Sequence, residues 1–231
     1  MARQVILAAD RYHSEIDWLK SYWHFSFDHY YDPNNRNFGN LRVFNEDWIK
    51  PSTGFGMHPH RDMEIVTFVV SGELTHEDSM GNKGVIKAGE VQRMTAGTGV
   101  FHSEYNHSSD TTVHLLQMWV FPDQAGLTPS WEQKPFTQEQ RKNNWLPVVS
   151  GSQRGEALHI HQDVTFYVTS LDAGQSLTQE LNGRAAYLFV IAGSVKCGEQ
   201  TLTAGDQVKM VDEERLVVAA DADSEMILIE V

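Results

Sequence analysis

The chain has 231 residues, one cysteine, eleven histidines and a formal net charge of −13. That charge argues against direct contact with a nucleic-acid backbone, which needs clustered Lys and Arg, and no apolar run reaches the roughly 18 residues of a membrane-spanning helix. The single cysteine, Cys197, excludes an intrachain disulfide and a thiolate zinc cluster, so a transition-metal site would rest on histidine and carboxylate, and a reducing cytoplasm is the expected location.

In chain order, the short apolar run from Val5 to Ala9 soon meets Asp10, Arg11 and Glu15, which makes a poor secretory signal. Ser14 to Tyr22 is expected to form a short helix, and Thr137 to Asn143 another. Strands are expected at Leu41–Asn45, Glu64–Val70, Val85–Lys87, Val91–Thr95, His114–Phe121, Phe166–Ser170, Tyr187–Ile191, Gln207–Val211, Arg215–Ala219 and Glu225–Glu230. Short strands at this spacing, with no regular helices between them, predict an all-β sandwich or barrel.

An internal repeat organises these strands. VVSGELTHEDSMGNKGVIKAGEVQRM, from Val69, matches VIAGSVKCGEQTLTAGDQVKM, from Val190, with Gly72 on Gly193 and Gly89 on Gly205. A stretch rich in Pro, Gln, Asn and Gly, about 122 to 156, separates the copies. Two β domains of one kind are therefore expected, at about 1–130 and 131–231.

The chemistry concentrates in the first copy. In GFGMHPHRDMEIVTFVVSGE, His58 and His60 are two apart, and strand side chains at i and i+2 share a face. TAGTGVFHSEYN repeats the spacing with His102 and Glu104. Three neutral imidazoles and a carboxylate suit a divalent first-row ion: iron, manganese, nickel, copper or zinc. Glu64 has the alternation parity of His58 and His60, but a straight strand would put it roughly 13 Å from His60. It reaches the ion only if the chain turns a corner near Arg61 and Asp62, so Glu104 is the expected ligand and Glu64 a neighbour. Phe55, Phe68, Met94 and Met118 are candidates for core or for a substrate-binding pocket wall. His24, His29, Tyr30 and Tyr31 either line the pocket mouth or pack on the barrel. Gly97 and Gly99 are expected to form a tight turn placing His102. The pair His159 and His161 also has H-x-H spacing but no His-x-Glu partner, and reads as a strand with ordinary imidazoles.

Gly54, His58-Pro-His60, Glu64 and Gly72, followed by Gly99-Val-Phe-His102 and Asn106, resemble the paired motifs of the cupin superfamily; Gly97 stands where cupins usually place proline. HPHRDMEIVTFVVSGELTHEDSMGNKG, MTAGTGVFHSEYN and FSFDHYYDP (25 to 33) resemble the pirin family, over nearly the whole chain. The resemblance implies two tandem jelly-roll barrels, a bicupin, with a degenerate C-terminal half. It places the metal ligands on His58, His60, His102 and Glu104. Counting from the paired glycines, the second copy carries Gln179, Leu181, Ala185, Val218 and Ala220 at the positions of His58, His60, Glu64, His102 and Glu104, so the second domain is expected to hold no metal.

Bacterial pirins resemble quercetin 2,3-dioxygenases. The implied reaction is cleavage of a flavonol's heterocyclic ring by O2, with release of carbon monoxide. One divalent metal ion would be the cofactor, iron ahead of manganese, nickel, cobalt, copper or zinc. Glu104 or Glu64 would take the substrate's hydroxyl proton. The human relative is a nuclear transcriptional co-regulator, which implies a rival reading: a metal-binding redox sensor acting through a protein partner.

Overall fold

The computed structural model describes residues 3–152 and 154–231. Its strands are β1 (Arg3–Ile6), β2 (Tyr12–Glu15), β3 (Leu19–Trp23), β4 (Leu41–Ile49), β5 (Thr53–His60), β6 (Glu64–Ser71), β7 (Glu73–Asp78), β8 (Lys83–Lys87), β9 (Glu90–Thr95), β10 (Val100–Asn106), β11 (Val113–Val120) and β12 (Ser130–Pro135). After α1 (Gln138–Arg141) follow β13 (Leu146–Ser150), β14 (Leu158–His159), β15 (Thr165–Leu171), β16 (Ser176–Glu180), β17 (Ala186–Ala192), β18 (Ser194–Cys197), β19 (Gln200–Thr203), β20 (Gln207–Met210), β21 (Arg215–Ala220) and β22 (Ser224–Glu230). The described chain is nearly all β, in two barrels, as expected. No helix among the described residues is long and apolar enough to cross a membrane.

The helix expected over Ser14 to Tyr22 is instead the hairpin β2–β3, in which Ser14 faces Ser21. Buried Ser21 and Trp23 alternate with Lys20 and Tyr22, and this period of two outweighs helix propensity. The second expected helix survives as α1, one turn closed by a capping box in which Gln140 N–H donates to the Thr137 hydroxyl while Thr137 N–H donates to the Gln140 side chain.

One unit comprises Tyr12–Phe136 and Leu158–Gln162. Its larger sheet runs β12-β9-β6-β11-β4-β3-β2, and its smaller one β5-β10-β7-β8. Ile49, Val69, Leu74, Ile86, Val113 and Leu115 form one core cluster. The other unit takes residues 3–11, 137–157 and 163–231. It holds a sheet running β1-β20-β17-β22-β15-β13 and a four-stranded sheet β16-β21-β18-β19.

The unit boundaries differ from the expected 1–130 and 131–231. Strand β12 stays with the first unit because it pairs with β9 from Ser130 opposite Thr95 to Pro135 opposite Glu90. Strand β1 joins the second unit because Arg3 to Ile6 pair with Met210 to Gln207. Pairing across some 200 residues leaves no mark in a local pattern.

The repeat is visible in three dimensions. β9-β6-β11 corresponds in order to β20-β17-β22, and β5-β10-β7-β8 to β16-β21-β18-β19. Gly72 (φ +80°) and Gly193 (φ +86°) make the same left-handed turn, and at both a side chain would strike the start of the neighbouring strand, at Val113 and Ser224. Strand register corrects one equivalence. His102 faces His58, whereas Val218 faces Leu177, so Leu177 and not Gln179 occupies the position of His58. Val218 and Ala220 lie in an apolar core with Val195, Leu202 and Leu216, against which Leu177 packs.

Candidate metal centre and cavity

Strands β5 and β10 lie side by side, His102 opposite His58 and Val100 opposite His60. Alternation turns Met57 and Phe101 out to solvent and the histidines inward. The ring centroids of His58, His60 and His102 stand 4.4 to 4.9 Å apart, and their donor nitrogens all lie within 4.8 Å of one another. The turn before β10 depends on Gly97 (φ +45°), where any side chain would collide with the Leu127 carbonyl. Glycine thus stands in the usual proline position because the 127 loop passes directly over it.

A bulge separates His102 from Glu104, yet both stay inside and buried. Glu104 is held from two sides: Gln92 Nε2 donates to Oε1 at 2.7 Å, and Gln117 Nε2 to Oε2 at 2.8 Å. Trp131 Nε1 donates to Gln92 Oε1 at 2.8 Å, orienting that amide. Glu104 and His102 also form a compact donor group with His76, a residue that the sequence reading did not single out. The signal was present: His76 and Asp78 are again two apart, on β7, opposite Glu104 and His102.

His76 is part of a chain of contacts. Its Nε2 lies 3.2 Å from Asp78 Oδ2, and its Nδ1 lies 3.4 Å from His102 Nδ1. Burial would raise the Asp78 carboxyl, but it is outweighed by hydrogen bonds from the Asn82 side chain and backbone, from His76 and from Met80 N–H, so the pKa falls. An ionised Asp78 needs the proton on His76 Nε2, which leaves His76 Nδ1 to accept. The proton between the two Nδ1 atoms then belongs to His102, and the His102 Nε2 lone pair is free. That nitrogen is buried and has no hydrogen-bond partner. Burial, then repulsion from His58 and His76, push the His102 pKa down to about 3; burial, then His102 and His58, push His60 down to about 4. Both rings are neutral at physiological pH, the form a metal ion requires.

His58 and His60 open into a cavity of about 480 Å³. Trp18, Trp23, Phe27, Phe55 and Trp119 supply its aromatic surface, and Ser21, Asn45, Asp47, Glu104 and Gln117 its polar one. Trp119 meets His60 edge-on at 4.8 Å. Burial is the main cause that raises the Asp47 carboxyl to about 7; Glu104 and Glu46 add to it, and the Ser21 hydroxyl, which donates to Asp47 Oδ1, opposes.

Of the expected wall residues, Phe55 lines this cavity and the other three do not. Phe68 on β6 and Met118 on β11 face away, because their neighbours Thr67 and Gln117 point in toward Glu104. Met94 is sealed in a core cluster with Ile65, Ala96 and Val100. Glu64 is also turned away. The chain does turn near Asp62 (φ +47°), but it enters the other sheet, with Glu64 on the face opposite Thr67. There the Thr95 hydroxyl donates to Glu64 Oε2 at 3.0 Å, and burial raises its carboxyl to about 7. His29 lines the cavity, whereas His24 is buried, stacked on Phe44. His159 and His161 sit with rings 5.0 Å apart, in a segment where Asp123 N–H donates to the His161 carbonyl.

Comparison with known proteins is consistent with this geometry. The Pirin family model matches residues 6–120, and the quercetinase C-terminal cupin domain model residues 147–231. A quercetin 2,3-dioxygenase of Escherichia coli K12 is 43% identical over 222 residues, 96% of this chain and 95% of that protein. The chain belongs to the pirin family. A pirin-like protein of Caulobacter vibrioides is 44% identical over 215 residues, 92% of each chain. The bacterial pirin YhhW of Escherichia coli, solved in complex with nickel(II), superposes with a TM-score of 0.94 at 39% identity, over 99% of this pirin and 98% of YhhW.

Proposed function

We propose that this pirin is a metal-dependent dioxygenase that opens the heterocyclic ring of a flavonol such as quercetin with O2 and releases carbon monoxide. The observation that carries this reading is the cluster of His58, His60, His102 and Glu104, of which His58, His60 and Glu104 open onto an aromatic-walled cavity. About 480 Å³ lies within the roughly 300–1,000 Å³ typical of small-molecule sites. Names among the relatives support the same reading.

His58, His60 and His102 would hold one divalent ion through neutral nitrogens, with Glu104 as the carboxylate. The unpartnered, buried Nε2 of His102 and the shared reach of the His58, His60 and His102 donor atoms fit such an ion; Glu104 shares a donor group with His102 and His76. Iron is the expected ion; manganese, nickel, cobalt, copper and zinc suit the same donors, and nickel is bound by YhhW. When bound, the ion supplies Lewis acidity that favours the deprotonated substrate hydroxyl. Glu104 accepts that proton, while Gln92 and Gln117 hold its two oxygens in place. Trp18, Trp23, Phe27 and Phe55 flank the planar substrate and exclude water from it.

The test is carbon monoxide release from quercetin under air. Protein reconstituted separately with each ion is assayed beside His60→Ala. Release that needs both metal and His60 supports the reading. One bound equivalent of metal with no release from any ion removes it and favours a sensor acting through a protein partner. The exposed Met57 and Phe101, on the outer side of β5 and β10, speak for that second reading.

A further inference from the structure

Four polar side chains stand in register across the floor of the first barrel: Gln92 on β9, Thr67 on β6, Gln117 on β11 and Asn45 on β4. The first three form a closed network. Gln92 Nε2 donates to Thr67 Oγ1 at 3.1 Å, Thr67 Oγ1 donates to Gln117 Oε1 at 2.8 Å, and both glutamines hold Glu104. Asn45 continues the row past Glu104 and breaks the pattern. It is 4% exposed and lines the cavity, yet its Oδ1 has no partner.

Asp47 lies two residues further along β4, on the same face and equally buried, and its Oδ1 accepts only the Ser21 hydroxyl from the facing strand. Two more polar side chains therefore line the cavity. Polar side chains facing a ligand are costly without partners, so a ligand that fits brings hydrogen-bonding groups to this wall. Among the described residues, no Lys or Arg lines the cavity, while Asp28, Asp47 and Glu104 do. Against this wall, away from the proposed ion, that balance disfavours a phosphate or carboxylate. An uncharged ring hydroxyl meets these conditions, and the aromatic walls suit the flat ring that carries it.

We infer that Asn45 and Asp47 are specificity-determining residues that hydrogen-bond ring hydroxyls of a polyphenol substrate. The inference rests on the cavity being the substrate site proposed above. It adds that the ring hydroxyls are selected by this wall and are not incidental.

The experiment compares quercetin with 3-hydroxyflavone, which keeps the hydroxyl nearest the reaction and lacks the others. Binding to the nickel-loaded full chain is read under argon by quenching of tryptophan fluorescence, so no turnover is required. The wild-type protein should prefer quercetin by about tenfold or more. Asn45→Ala and Asp47→Ala should each erode that preference by about tenfold while moving 3-hydroxyflavone binding less than about twofold. Circular dichroism and metal content show whether each variant is folded and loaded. Should an alanine variant fail to fold, Asn45→Leu or Asp47→Leu, which keep the side-chain volume without the polar atoms, takes its place. Equal affinity of the wild-type protein for the two flavonols, or binding of neither, overturns the inference, as does a preference that survives both substitutions in folded protein. A preference that depends on Asn45 and Asp47, without carbon monoxide release under air, would sink the dioxygenase reading and leave the wall standing. Release without preference would do the reverse.

Discussion

His76 Nδ1 lies 3.4 Å from His102 Nδ1, and its other nitrogen meets Asp78. Two histidines facing each other through the same nitrogen type can be satisfied only if one donates and the other accepts. Asp78 settles which, and so directs the His102 Nε2 lone pair into the site. His76→Ala and Asp78→Ala should therefore weaken metal binding by about 10- to 100-fold, measured by competition with a chelator. Unchanged affinity in folded variants would mean that His102 finds its tautomer without this support.

His60→Ala removes a proposed ligand that is half-buried and stacked edge-on to Trp119. The variant should stay folded and lose stoichiometric metal, as read by elemental analysis after dialysis. One retained equivalent would show that the ligand set is different.

Glu104 has two proposed roles, as ligand and as base. Glu104→Gln should lower carbon monoxide release by at least about 100-fold, even at metal concentrations that restore full occupancy. A variant that regains wild-type turnover once loaded would confine Glu104 to metal retention.

The depressed pKa values of His60 and His102 remove proton competition at two of the three proposed histidine ligands. There protons compete with the ion only below the folded-state values, about 4 and about 3. Loaded protein should therefore hold its metal at pH 6, where an ordinary histidine is largely protonated. Equilibrium dialysis between pH 4 and pH 7 follows the loss; release centred near pH 6.5 would contradict the burial argument.

Glu64 makes the opposite kind of prediction. Its folded pKa, about 7, lies above the ordinary carboxyl value of 4.5. Between these values the folded state binds more protons than the unfolded one, so this group's contribution to stability falls as pH rises toward 7 and beyond. Glu64→Gln removes the titration. The Tm difference between variant and wild type should be more positive at pH 8 than at pH 5, and equal differences would show that Glu64 titrates normally.

Much of this protein is written in local alternation. His58 with His60, and His102 with Glu104, share a face because a strand has a period of two, and that needs no knowledge of neighbours. The matched turns at Gly72 and Gly193 exposed the duplicated barrel, because a left-handed turn selects glycine wherever it recurs. What local pattern left open is which strand lies beside which. Parity gives Glu64 the face of His58 and His60 and leaves its reach to a turn near Asp62; that turn exists, but it passes the chain to another sheet, with Glu64 facing away. Phe68, Met94 and Met118 read as wall or core with equal ease, and only the directions of Thr67 and Gln117 decided. Asn45, Asp47 and His76 carry no motif of their own. They matter because β4, β11, β6 and β9 line up one polar row, and because β7 sets His76 opposite Glu104. Side-chain direction along a strand is a property of the backbone and is legible residue by residue. The neighbours met in that direction depend on hydrogen-bonded register between segments tens to hundreds of residues apart, and only the tertiary structure decides them.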